Sequence, residues 1–341
     1  MEIRPGIHRI ESRFAGRYLF QHVLVGDRVL VMDTGVPATP ATVLFPYLAS
    51  IGRAGTEIDY VVCTHPDADH LGGNSAVRAA APSCRILGHA LDVHWLEDPD
   101  AMVAERYDGF RVDHGIGDPP EALADARALC GEPTLVDIAL RGGEWLALSD
   151  DWRVEILHTP GHSEGHLSVW DPRSRTLIIA DAAMGRALPY VDGSPALAAT
   201  YTHPRPYALT GERLREQGAD LLLTAHFPVM AGEEIDRHLQ ASRALVDDVD
   251  VTIRQTIEAA DRPIGLRELV DAVDRRLGPL PADTRDTWAS PVAGHLNELE
   301  AAGDVIAGRD GDRKVYTLRR RRAPLAGRAV PHELTSRGAS R

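Results

Sequence analysis

Cysteine and lysine are both scarce in this chain of 341 residues, which has three cysteines (Cys63, Cys84 and Cys130) and one lysine, Lys314. Three widely spaced thiols exclude a disulfide scaffold and a CxxC zinc module. A lone lysine near the C-terminus rules out a lysine nucleophile almost everywhere else. No stretch approaches the roughly 18 uninterrupted apolar residues of a membrane span. The opening Met1-Glu2-Ile3-Arg4-Pro5 lacks the basic-then-apolar run of a signal peptide, so the expected setting is the cytoplasm, without a membrane partner. Positive charge is also in deficit: 37 Lys and Arg face 50 Asp and Glu, a net charge of -13. That balance argues against a whole-protein grip on nucleic acid or a membrane surface. What is present is an ordinary soluble mixture, 44% apolar and 26% charged, long enough for one large domain and one smaller one.

Strand and helix signals alternate through the first two thirds. Residues 17–33 read as two strands turning at Gly26-Asp27, and 39–52 have helical spacing opened by Thr39-Pro40. Apolar runs at 58–62, 155–157, 166–170, 176–180 and 221–223 read as further strands, several ending in a polar residue. This pattern predicts a layered α/β domain over residues 1–240 with a site along one sheet edge. Beyond it, helical periodicity at 235–260, 265–276 and 291–302 precedes a hairpin signal at 305–318. Three helices and a hairpin are the order of a winged-helix module, placed at 245–318. Residues 319–341 begin with four arginines and read as a basic disordered tail.

The most informative segment is Thr64-His65-Pro66-Asp67-Ala68-Asp69-His70-Leu71-Gly72-Gly73-Asn74. Four potential metal ligands fall within six residues directly after an apolar strand. In an extended segment His65 and Asp67 point to one side, while Asp69 and His70 diverge toward a second point. Such a loop suits two cations about 3.5 to 4 Å apart. Ligands of the same kind recur at three other strand ends, in Thr159-Pro160-Gly161-His162, Ile179-Ala180-Asp181 and Thr224-Ala225-His226.

Together with Val31-Met32-Asp33-Thr34-Gly35, these ordered motifs closely resemble the metallo-β-lactamase-fold hydrolase superfamily over roughly the first 240 residues. The resemblance implies an αββα sandwich, mixed α/β in class, with its site at the edge of two sheets. It implies one metal held by His65, Asp67 and His162, a second by Asp69, His70 and His226, and Asp181 bridging both. Two divalent ions are expected, zinc first and manganese or iron as alternatives. Asp67 stands where most relatives carry a histidine. Counting two cations, three aspartates and a bridging hydroxide gives a neutral site, which shifts preference somewhat toward manganese or iron. Flavodiiron proteins also carry a carboxylate there, so a di-iron redox enzyme is an alternative, although no flavodoxin-like partner domain is visible.

The leading expectation is a hydrolase acting through a metal-bridging hydroxide on a small-molecule ester, lactone or thioester, with Asp181 as the bridge and Asp69 as proton shuttle. A nuclease or phosphodiesterase on the same site is the second reading, and a DNA-binding regulator working through the winged helix is another. Charge weighs against nucleic acid: residues 245–318 hold 15 acids against nine bases, and the candidate recognition helix carries Glu298 and Glu300. The module is expected to pack on the catalytic domain or to form a homodimer. The whole layout resembles the beta-lactamase-like protein 2 relatives, one of which acts on RNA, but Thr-Ala-His-Phe replaces their Pro-Gly-His-Gly. Asp33, His158 and His166 are expected behind the ligands, orienting them or packing. Two segments are candidates to roof the site: 90–135, with Trp95, Tyr107 and Phe110, and 184–210, with Tyr190, Tyr201 and Tyr207. The alternative for these aromatics is that they anchor loops. Arg186 is the only obvious anion partner. Gly161-His162-Ser163-Glu164-Gly165 matches a nucleophile-elbow pattern but is followed by strand rather than helix texture, so Ser163 is not expected to be a nucleophile.

Overall fold

The computed structural model describes residues 1–319, so the tail expected from 319 lies, after its first residue, outside the described residues. Two sheets form the centre. In the seven-stranded sheet, Arg17–Val25 and Val29–Met32 make the expected antiparallel hairpin. From there the sheet continues in parallel through Ile58–Val62, Arg85–His89 and Ile138–Leu140. In the six-stranded sheet, Arg153–His158, Leu167–Asp171 and Thr176–Ala180 run antiparallel, and Leu221–Thr224 adds in parallel to the last of them. Asp171 secures the turn of the second hairpin by accepting from the Arg173 and Ser174 backbone N–H groups.

Alternation of apolar side chains explains the layers. Leu30, Met32, Val62 and Leu87 meet Val154, Ile156, Val169, Ile178 and Leu223 between the sheets. Their chain neighbours Val31, Val61 and Ile86 face outward and are covered by Leu44, Leu48, Val77 and Met102. On the opposite outer face Leu177, Ile179 and Leu222 are covered by Leu214, Ile235 and Leu239. Helices therefore flank two packed sheets, the mixed α/β arrangement the motifs imply. Among the described residues no helix is long and apolar enough to cross a membrane.

The bounds expected at 240 and 245 both fall inside one continuous helix, Glu233–Ala260. Its first turns cover the six-stranded sheet, while Leu245, Val249 and Ile253 pack with Trp288, Val292 and Leu296 of the C-terminal part. The helices Leu266–Leu277 and Ala289–Ala301 follow, with a three-stranded sheet in which Ile264–Gly265 joins the hairpin of Val305–Asp310 and Arg313–Leu318. Tyr201 and Tyr207, from the segment after Thr176–Ala180, are buried in this same cluster. At ~1.5–3 kcal/mol for each fully buried aliphatic side chain, this shared core binds the C-terminal helices to the sandwich. The hairpin's bases are engaged, two of them by the 90–135 insertion. Arg309 pairs with Asp113 at 2.6 Å, Lys314 with Glu300 at 3.0 Å, and Arg313 donates to the carbonyls of Arg111 and Val112.

Candidate metal centre

The candidate residues converge because every one sits just beyond the C-terminal end of a strand on the same edge of the sandwich. Ile58–Val62 leads to His65, Asp67, Asp69 and His70; Arg153–His158 to His162; Thr176–Ala180 to Asp181; and Leu221–Thr224 to His226. The chain bends sharply to deliver them. Ala180 has φ 42, a left-handed conformation costly for a residue with a Cβ, and it turns the strand so that Asp181 faces the site. Gly161 has φ 143, and a Cβ there would lie 2.4 Å from Tyr207 Cα, so only glycine lets His162 reach its position.

The donor atoms form linked groups. His65, Asp67 and His162 make one triad and Asp69, His70 and His226 another, each with its ligand atoms within 4.8 Å of one another. Asp181 lies between them, its Oδ2 at 3.4 Å from His226 Nε2, 3.8 Å from His70 Nε2 and 4.0 Å from His65 Nε2. His65, His70 and His162 are buried, and Asp69 lies on the wall of the adjoining cavity.

Hydrogen bonds behind the ligands set which ring nitrogen faces inward. His70 Nδ1–H donates to Asp33 Oδ2 at 2.8 Å, and His226 Nδ1–H donates to the Tyr18 carbonyl at 2.9 Å. The Thr64 hydroxyl donates to Asp33 and accepts from His65 Nδ1 at 2.9 Å. Each ring thereby turns Nε2 toward the centre, as in carboxylate–histidine–metal relays. His65 Nε2 and His70 Nε2 are buried without a partner, atoms that a cation would satisfy. Asp33 takes up its orienting position from a left-handed backbone, φ 59.

Electrostatics point the same way. Burial alone would depress the His70 imidazole, but Asp33, Asp69 and Asp181 overcome it and lift it to about 10. Burial opposes ionisation of Asp181, yet His226, His70 and His65 hold its carboxyl well below the usual range. Burial, with His70 and His162 nearby, keeps the His65 ring neutral. The centre is thus rich in carboxylate and draws positive charge onto His70. The donors of Asp69, His70, His226 and Asp181 fit a divalent cation in type and spacing.

The other triad has a feature that the sequence did not disclose. Arg106, on the helical turn Val103–Tyr107 with its side chain 7% exposed, clamps Asp67, with Nε donating to Oδ1 at 2.6 Å and Nη2 to Oδ2 at 3.0 Å. Nη2 also lies 3.0 Å from His162 Nε2, which in turn sits 2.8 Å from Asp67 Oδ2. Burial would protonate Asp67, but Arg106, then His162 and His65, hold it ionised well below the usual range. The charge count made from the sequence therefore omits one cation. While the pair is in place, Arg106 offsets the negative charge that Asp67 adds where a histidine would be neutral. A buried carboxylate demands such a partner, but nothing in the sequence identifies an arginine 39 positions away as the one.

Other candidates lie outside the cavity. His158 stacks on His89 with centroids 4.2 Å apart and bonds the Glu164 carbonyl, away from the donors. His166 is buried behind His65, stacked at 5.1 Å and bonded through Nδ1 to Thr159 Oγ1. Tyr201 bonds His295 and Tyr207 accepts from the Met184 N–H, so both anchor the C-terminal packing and are not substrate walls. Tyr190 lies against Gly16 in the turn of the N-terminal hairpin, and exposed Arg186 pairs with Asp248 of the helix Glu233–Ala260. Ser163 is buried and donates to Asp92, bracing the loop that carries His162.

A cavity of about 390 Å³ opens onto Asp67, Asp69, Asp181 and His226. Its walls are largely apolar, with Phe14, Tyr107, Phe110, Ile116, Met184 and Leu197 among them. Three of these, Tyr107, Phe110 and Ile116, belong to the 90–135 insertion. The far side is closed by Asp283, Thr284, Asp286 and Thr287 from the C-terminal part.

Comparisons with known proteins agree with this architecture. The chain is 26% identical over 251 residues to an acyl-coenzyme A thioesterase of Gallus gallus, covering 68% of this chain and 81% of that protein. It is 31% identical over 136 residues to a hydroxyacylglutathione hydrolase of Rhodospirillum rubrum, a match that takes in 40% of this chain and only 38% of that protein's length. Among solved structures, a metallo-beta-lactamase family protein from Thermus thermophilus superposes with a TM-score of 0.71 at 22% identity, covering 93% of this chain and 100% of that one. The shared fold thus extends into the C-terminal helices. The family model described as Metallo-beta-lactamase superfamily matches residues 18–226. With strand order, donor triads and sequence match in agreement over more than half its length, the chain belongs to the metallo-beta-lactamase superfamily.

Proposed function

We propose that this chain is a metal-dependent hydrolase of small esters, lactones or thioesters, with thioesters foremost. The observation that carries the reading is the pair of donor triads, joined through Asp181, at the floor of a mainly apolar cavity. Zinc is the expected ion, one held by Asp69, His70 and His226 and a second by His65, Asp67 and His162, with Asp181 between. Bound there, such ions supply Lewis acidity and bring the pKa of a coordinated water toward neutrality. The chain's own residues do the rest. Phe110, Ile116 and Met184 shed water around an apolar acyl group and align it. Asp69, on the cavity wall with Oδ2 3.8 Å from His226 Nε2, is placed to carry a proton to the leaving thiolate or alkoxide.

Two considerations favour acyl over phosphoryl substrates. The two relatives described above are named as an acyl-coenzyme A thioesterase and a hydroxyacylglutathione hydrolase, both acyl-transfer names. The cavity wall also presents Asp118, Asp283 and Asp286 against Arg17 and Arg106; Arg106 is held by Asp67 and Asp286 by Arg267, which leaves Arg17 as the one cation set against Asp118 and Asp283, a poor match for a polyanionic backbone. We read the C-terminal helices and three-stranded sheet as a winged-helix module that closes the cavity and does not bind nucleic acid. The ion pairs of Arg309 and Lys314 support this reading. A panel of thioesters, lactones and phosphodiesters tests it: turnover of acyl substrates should exceed that of phosphodiesters by about 10²-fold or more, and the reverse order would overturn it.

A further inference from the structure

We propose that the two triads bind metal unequally. Asp69, His70 and His226 with Asp181 form the tight site, and His65, Asp67 and His162 form a weak one that fills only when Arg106 yields its place. The inference rests on the metal-dependent reading above and goes beyond it.

Two independent features of the His65 triad carry it. First, two of its three donors are already in use. Arg106 spans both oxygens of Asp67, and its Nη2 is 3.0 Å from His162 Nε2. An imidazole nitrogen has one in-plane lobe, so His162 Nε2 donates to Asp67, accepts from Arg106 or binds a metal, but does only one of these at a time. A cation entering here also meets the guanidinium charge at close range in a buried setting, where Coulomb repulsion is weakly screened.

Second, His162 lacks the support that the other ligand rings have. His65, His70 and His226 each have Nδ1 bonded, to Thr64 Oγ1, Asp33 and the Tyr18 carbonyl. His162 Nδ1 is buried with no partner. Nothing behind the ring fixes the proton on Nδ1, so the nearby Asp67 carboxylate favours it on Nε2, the wrong nitrogen for a ligand. Loss of such outer contacts typically costs 10–100-fold in metal affinity. The competing guanidinium adds to that. Arg106 is thus a positioning residue: it keeps Asp67 ionised and in place while the site is empty, and it sets the order of loading.

The test is a titration of chelator-stripped protein with Zn²⁺, and with Co²⁺ followed by its visible absorption. The expected result is two steps, the second at least ~100-fold weaker than the first. His162→Ala should keep the first equivalent, and His226→Ala should lose it. Arg106→Met should tighten the second step by ~10-fold or more and leave the first unchanged. Two equivalents of equal affinity in the wild-type chain would overturn the proposal even if the Met variant fails to fold, while leaving metal-dependent hydrolysis standing. A first equivalent lost with His162 in place of His226 would overturn it as well. Binding of no cation at all would remove both this proposal and the functional reading beneath it.

Discussion

Replacing Asp33 with asparagine isolates the role of the network behind the ligands. Asp33 Oδ1 accepts from the Thr64 N–H at 2.8 Å, and Oδ2 accepts from His70 Nδ1 at 2.8 Å, with the Thr64 hydroxyl donating to the carboxylate. Asparagine has nearly the same shape and tolerates the left-handed backbone found here, φ 59, so strain contributes little. An amide, however, has only one accepting oxygen. If that oxygen takes the Thr64 N–H, the NH2 faces His70 Nδ1 and forces the ring proton onto Nε2, the nitrogen meant for the metal. In the opposite orientation two N–H groups confront each other in a buried site, at ~1–3 kcal/mol. Asp33→Asn should therefore weaken the tight cation by 10–100-fold, roughly 1.4–2.8 kcal/mol. Calorimetric titration of stripped wild-type and variant protein with Zn²⁺ measures this directly. Affinity within threefold of wild type would refute the claim that Asp33 sets the His70 tautomer.

Other outcomes follow from the same geometry. Asp181→Ala should abolish turnover while leaving the far-ultraviolet spectrum unchanged; appreciable turnover would show that the shared carboxylate is not required. Gly161→Ala, forced into φ 143 against Tyr207, should destabilise the chain by about 3 kcal/mol or more, read as a lowered thermal midpoint, and an unchanged midpoint contradicts the close-approach argument. In the metal-free protein the charged His70 ring, lifted to about 10, stabilises the fold fully below its ordinary value near 6.5, and that contribution fades as pH rises through about 10. Cation binding needs the neutral ring, so zinc affinity should climb with pH across the same window and release a proton; an affinity flat between pH 7 and 9 would contradict this. Burial, with Asp286 and Asp108 nearby, pushes the Asp118 carboxyl up, and Asp118→Asn should lower KM for an anionic thioester more than for a neutral one. Equal KM changes for the two would discount the acidic wall.

The ligand loop and the strand-end histidines were legible in the sequence because each is local: a short polar motif directly after an apolar run. The layered α/β class followed from the alternation of strands and helices, and the sandwich from the resemblance that the ordered motifs carry. Arg106 was not legible, because its meaning depends on contact between a helical turn and a loop 39 residues earlier, a relation no spacing encodes. Tyr201 and Tyr207 look alike as wall or anchor from sequence, and the choice was decided by Trp288 and His295 far along the chain. The domain bound expected near residue 240 corresponds to a shift in what the helix Glu233–Ala260 packs against, from sheet to helices, without a break in the backbone.

Hydrolysis of an acyl thioester by stripped protein, followed as zinc is returned in measured amounts, bears most directly on the function assigned here. Turnover should be negligible without metal and should recover in step with the zinc bound. Undiminished turnover in the stripped protein would contradict it.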